Sequence, residues 1–143
     1  MSRRNILFWF FVALSVLFGV AVIRQGVNLY VNGQNCRSYN DYGCAFSAMF
    51  SFVVVPYGLS IILFVGLASL PHKVICLIGS VFSLLLGVAN VGLSCVIALG
   101  AAANAGNSLV SQEMVNFLLL PLGILVGGFA LLGVGIIGYL RTK

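Results

Sequence analysis

The chain has 143 residues, of which 62% are hydrophobic and 6% charged, with a mean hydropathy of +1.18. A soluble domain of this size needs a charged exterior, so the composition excludes an ordinary globular protein and points to an integral membrane protein. The net charge of +5 therefore reads as membrane topology, not as a nucleic-acid footprint, and no nucleic-acid partner is expected.

Spanning the hydrocarbon core takes about 20 apolar residues in helix. The first apolar run is ILFWFFVALSVLFGVAVI, residues 6–23, with a helical continuation to about residue 30. Arg3 and Arg4 precede it as they would a signal peptide, but no clean small-x-small cleavage site follows, so it is expected to be a retained span. Within it, Ser15 and Gly19 stand four residues apart, a spacing that lets two membrane helices approach closely. Arg24, near its outer end, either snorkels to the headgroups or forms an ion pair with Glu113 at the mouth of the fourth span.

A polar loop, residues 31–44, follows and contains NCRSYNDYGC. It has no histidine and a single carboxylate, Asp41, so it makes a poor metal site. On the non-cytoplasmic side, Cys36 and Cys44 are expected to form a disulfide across seven intervening residues, contributing on the order of 2–3 kcal/mol. Arg37, Tyr39, Asp41 and Tyr42 are then displayed for contact with a partner or with headgroups. A four-span quinone oxidoreductase also carries a paired-cysteine loop after its first helix, but needs a Cys-x-x-Cys pair that this chain lacks.

The second span, residues 45–70, contains Pro56, where a bend is expected because a helical donor is lost. Pro71, His72 and Lys73 form a tight turn into the third span, residues 74–103. Gly79, Ser83 and Gly87 repeat there every four residues as a helix-packing face, and Asn90 near mid-span is expected to hydrogen-bond to a neighbouring helix. Cys76 and Cys95, on the same helix, are too far apart to pair and are expected to behave as small apolar residues. A second polar loop, residues 104–113, leads to the fourth span, residues 114–140, where Gly123 and Gly127 form a further small face and Pro121 is a second candidate kink.

The fold expected is an all-α, four-transmembrane-helix bundle in one membrane domain. Arg3, Arg4, Lys73, Arg141 and Lys143 fall on one side, while Arg24, Arg37, Asp41 and Glu113 on the other sum to zero. The positive-inside bias puts both termini in the cytoplasm and residues 31–44 and 104–113 outside or in a lumen. No constellation of nucleophile, acid, base or metal ligands is present in the spans, and no mid-membrane carboxylate suits proton relay. The chain is expected to be non-enzymatic and to need no cofactor.

The first outer loop carries a family resemblance. A Cys-bounded segment with Tyr39-Asn40, followed by Cys44, Phe46 and Ser47 at the head of the second span, resembles the MARVEL-domain tetraspans (the myelin-and-lymphocyte, occludin, synaptophysin and synaptogyrin proteins). Cys95 in GLSCVIALG is a looser match in the third span. The resemblance implies a membrane-organising or trafficking scaffold that packs with lipids, with other membrane proteins or with itself, in the plasma membrane or in secretory or endosomal vesicles. The alternative is a small accessory subunit stabilising a larger pump, channel or respiratory assembly.

Overall fold

The computed structural model describes residues 3–35, 42–105 and 112–143; the side chains of residues 42–44, 46, 101, 104, 105 and 112–118 lie outside what it describes. Four helices follow in order: α1 (Arg3–Gln34), α2 (Tyr42–Ser69), α3 (Lys73–Ala105) and α4 (Gln112–Thr142). Each contains a segment long and apolar enough to cross a membrane, consistent with a multi-pass membrane protein. At 28–33 residues apiece they are about 42–50 Å long and overrun a hydrocarbon core of about 30 Å.

That excess is where the helices depart from the apolar runs. α1 continues through Asn28, Asn32 and Gln34 and ends with Asn35 N–H donating to the Val31 carbonyl at 3.1 Å. Tyr42 and Cys44, expected in the loop, belong instead to the first turn of α2. Lys73, expected in the turn, opens α3. Hydropathy marks only the stretch in lipid, whereas a nucleated helix gains one hydrogen bond for each residue added, in lipid or in water. Both Pro56 and Pro121 sit inside helices assigned without a break.

The α2–α3 connection is as short as expected. Leu70 N–H donates to the Leu67 carbonyl at 3.2 Å as α2 tightens to its end, and Cys76 N–H donates to the His72 carbonyl at 2.9 Å as α3 begins. Pro71 lies between them, where no helical donor is needed. The Cys76 thiol donates to the Ala68 carbonyl at 3.1 Å, satisfying one of the carbonyls that the end of α2 leaves open.

Sequential helices are antiparallel neighbours, and α4 returns to α1, closing an up-down-up-down bundle. Contacts are most extensive within the α1/α2 and α3/α4 pairs and lighter across α2/α3 and α1/α4. The register follows from close contacts: Gly19 against Gly58, Phe64 against Gly79, Gly87 against Leu132, and Phe18 against Gly127. Phe8, Ile61, Val65, Ala68, Leu131 and Val134 form the apolar core. This layout brings the start of α1, the α2–α3 turn and the end of α4 to one end of the bundle. Arg3, Arg4, His72, Lys73, Arg141 and Lys143 are all exposed at that end.

Candidate functional site

The interior combines a small apolar core with many small and polar residues, while most large apolar side chains face outward. Leu17, Phe52, Leu85, Val96 and Phe129 are among many exposed ones. In water this would be an inside-out protein; in lipid, which solvates a leucine as well as a core does, it is the stable arrangement. α3 shows the pattern most clearly. Its buried positions are Cys76, Gly79, Ser80, Ser83, Gly87, Asn90 and Ser94, none of them aliphatic. Six of them, 76, 80, 83, 87, 90 and 94, follow the 4-3-4-3-4 spacing of a coiled-coil seam.

The glycines set how closely the helices approach. A Cβ at Gly79 would meet Ala68 N, and would lie 2.7 Å from both the Leu67 carbonyl carbon and the Phe64 oxygen, so α3 here rests on the backbone of α2. Gly58 would place one 3.0 Å from the Gly19 oxygen and 3.1 Å from Ile23 N, a backbone approach between α1 and α2 slightly less close than that at Gly79. Between α3 and α4, a Cβ on Gly87 would be 2.9 Å from Leu132 N, and one on Gly128 would be 3.2 Å from the Gly87 oxygen. Between α1 and α4 the fit is ring into hollow: Phe18 lies over Gly127 and Phe11 over Gly133.

Gly123 departs from its expected packing role. Nothing lies within 4 Å of a Cβ built there. The α1/α4 seam has opened at that level into an apolar groove of about 360 Å³ lined by Leu14, Leu17 and Phe18 on one side and by Leu122, Gly123 and Val126 on the other. The packing surface of α4 is made by Gly127, Gly128, Gly133, Gly135 and Gly138 instead. Gly26, Gly58, Gly128, Gly133, Gly135 and Gly138 are contact residues that the spacing by four did not single out. The 3.5-residue repeat of small and polar residues along α3 was the available signal.

The buried polar groups divide into two kinds. Ser51, Ser80 and Ser94 donate to carbonyls three or four residues earlier in their own helices, Ser80 to Cys76 at 2.7 Å. Ser15 and Ser83, both 0% exposed, have hydroxyls with no hydrogen-bond partner. Asn90, 1% exposed, donates through Nδ2 to the Leu86 carbonyl of its own helix at 2.8 Å. The hydrogen bond of Asn90 thus stays inside α3, where a bond to a neighbouring helix was expected.

The remaining sequence expectations fall partly or wholly outside the described residues. Cys36, Arg37, Tyr39 and Asp41 are not described, and neither are the side chains of Tyr42 and Cys44. Arg24 is exposed on α1, but the Glu113 side chain lies outside the described set, and the candidate pair with it. Among the described cysteines, Cys76 is a buried free thiol and Cys95 an exposed one. Among the described residues no group of three or more His, Cys, Asp or Glu could hold a metal ion.

Buried side chains are spent on helix contact and local hydrogen bonding, and the perimeter is apolar except at the two ends. Comparison of the chain with protein-family models, with curated proteins and with solved structures found no match in any of the three.

Proposed function

We propose that the chain is a non-enzymatic four-span membrane scaffold of the MARVEL kind, organising lipids and neighbouring membrane proteins. The observation that carries this reading is the division of labour between surfaces. The buried face of α3 is small and polar and is used in helix contact, while the outward face of the bundle is largely apolar and is left to lipid or to other membrane-embedded chains. On this reading both termini are cytoplasmic, a Cys36–Cys44 staple compacts the outer loop, and the protein resides in the plasma membrane or in secretory or endosomal vesicles. The cluster of Arg3, Arg4, Lys73, Arg141 and Lys143 at one end supports that orientation.

Solubilisation in mild detergent followed by native mass measurement tests the role. A lipid-associated monomer or a homo-oligomer is expected. Recovery as a fixed-stoichiometry complex with a large partner would replace the scaffold with the accessory-subunit reading. Orientation is checked separately with Lys143→Cys, which should react with an impermeant thiol reagent only after the cytoplasmic face is opened.

A further inference from the structure

The cations at the basic end of the bundle are spread round it. Arg3 and Arg4 open α1, Lys73 opens α3 directly after the turn from α2, and Arg141 and Lys143 lie at the end of α4; all five are exposed. They do not converge. The Arg141 guanidinium turns to α1, 4.5 Å from the centre of the Phe8 ring. Tyr139 precedes Arg141 by two residues, about 200° round the helix. The Lys143 ammonium lies 5.3 Å from the centre of the Tyr139 ring, so the two cations leave α4 on opposite sides. Arg3 and Arg4 diverge by about 100° on α1, and Lys73 belongs to the helix diagonally across the bundle from them. The only acidic residues of the chain, Asp41 and Glu113, precede or open α2 and α4, which start at the other end.

These charges stand at the edge of the outward apolar surface. Arg4 precedes the exposed Ile6 by two residues, Lys73 directly precedes the exposed Val74, and Arg141 directly follows the exposed Leu140. Trp9 and Tyr139, also exposed, are of the kind that favours the membrane–water interface. They lie within about 8 Å of Arg4 and Arg141 along their helices. A long basic side chain so placed carries its charge to the lipid headgroups while its stem stays on apolar surface. Charges distributed round a perimeter suit a ring of separate lipids. A single acidic peptide would meet only those on one side.

We propose that the basic end is a collar that enriches anionic phospholipid in the shell of lipid around the bundle. Each cation attracts the headgroup beside it through its charge, without a shaped pocket and independently of the cations on the other helices. The positive-inside bias concerns which way the chain is inserted; the collar concerns which lipids surround it afterwards. The inference rests on the four helices crossing a membrane, and it holds equally for a free-standing scaffold and for an accessory subunit.

The single tryptophan, Trp9, is 47% exposed and reports on the lipid beside it. The full chain is reconstituted in dioleoyl phosphatidylcholine vesicles that contain phosphatidylserine brominated on its acyl chains or, in parallel, equally brominated phosphatidylcholine at the same mole fraction. Bromine quenches tryptophan fluorescence at close range, so the two quenching curves give the local lipid preference. Phosphatidylserine should be preferred about fivefold at about 0.1 M salt, as for one cation near a headgroup. The preference should vanish at about 1 M, where the screening length falls to about 3 Å. In a Trp9→Phe background, Val74→Trp, at a position 61% exposed beside Lys73, should show the same preference. Leu99→Trp, at a position 71% exposed and about 37 Å further along α3, should show none. Arg3→Gln with Arg4→Gln should lower the preference beside Trp9 and spare that at position 74, and Lys73→Gln should do the reverse. No preference at either position would leave the cations to an acidic protein segment and overturn the collar. An equal preference at position 99, or one that survives 1 M salt, would also overturn it. So would charge changes that lower both positions together, the mark of one shared pocket, or that lower neither. The Trp9 measurement uses the unsubstituted chain, so it decides the matter even where a variant fails to fold.

Discussion

Replacing Gly79 by alanine should destabilise the bundle, whereas the same change at Gly66 should not. The new methyl at position 79 would sit 2.7 Å from two backbone atoms of α2, against the 3.4–4 Å of ordinary contact. Backbone atoms cannot turn aside as a side chain can, and Ala68 N is nearer still, so α2 and α3 must part locally by about 1 Å. A gap of that size forfeits roughly half of each dispersion contact; over on the order of 30 atom pairs at about 0.1–0.2 kcal/mol each, the loss is about 1.5–3 kcal/mol. Alanine returns about 0.5–1 kcal/mol as a better helix former, leaving a net cost of about 0.5–2.5 kcal/mol. At Gly66 nothing lies within 4 Å, so only the propensity gain remains. Reversible unfolding in mixed micelles, titrated with a denaturing detergent and followed by far-ultraviolet circular dichroism and by the fluorescence of the single tryptophan, Trp9, measures both variants. Equal shifts in the two, in either direction, would refute the claim that Gly79 sets the α2/α3 distance.

The same titration separates the two kinds of buried serine. Ser15→Ala and Ser83→Ala remove hydroxyls that have no partner and should be neutral or stabilising by up to about 1 kcal/mol, while Ser80→Ala loses a bond and should cost about 0.5–1 kcal/mol. A loss at Ser15 or Ser83 as large as that at Ser80 would contradict their unpartnered state. Asn90→Ala removes the bond to the Leu86 carbonyl inside α3 and should cost about 0.5–1.5 kcal/mol, and a neutral result would show that this bond does not contribute to stability. Thiol labelling in native micelles should modify Cys95 and spare Cys76, which becomes reactive only on unfolding; similar rates would show that the end of α3 is open. In the unfolded but non-reduced chain, two labelled cysteines are expected, and four would eliminate the Cys36–Cys44 staple.

The number, order and rough extent of the helices were legible because an apolar run of about 20 residues has few alternatives. Their ends were not, since Asn32, Gln34 and Tyr42 carry helices past the depth where hydropathy stops registering. The inward face of each helix was harder still. In a soluble bundle apolar periodicity marks the core, but here Leu85 outside and Leu131 inside are equally apolar. Only the small and polar residues carry directional information, as Gly79, Ser83 and Asn90 show. Spacing by four identified Gly127 and misassigned Gly123, because both lie on one stripe of α4 while the seam to α1 closes over Gly127 and opens beside Gly123. The contact of Arg141 with the Phe8 ring was illegible for a different reason: the two are remote in sequence, and only closure of the bundle brings them together.

The unequal pairing of the helices has a consequence for how the chain assembles. α1 with α2, and α3 with α4, are each joined by broad contacts centred on a glycine-to-backbone approach, so each pair can insert and close as a hairpin before the other is present. On that order of assembly the Pro71 turn would be the pivot about which two preformed hairpins fold together, with α1 and α4 meeting last. A tether between the start of α1 and the end of α4 would shorten that final search, whereas lengthening the Pro71 turn would slow it without changing either hairpin.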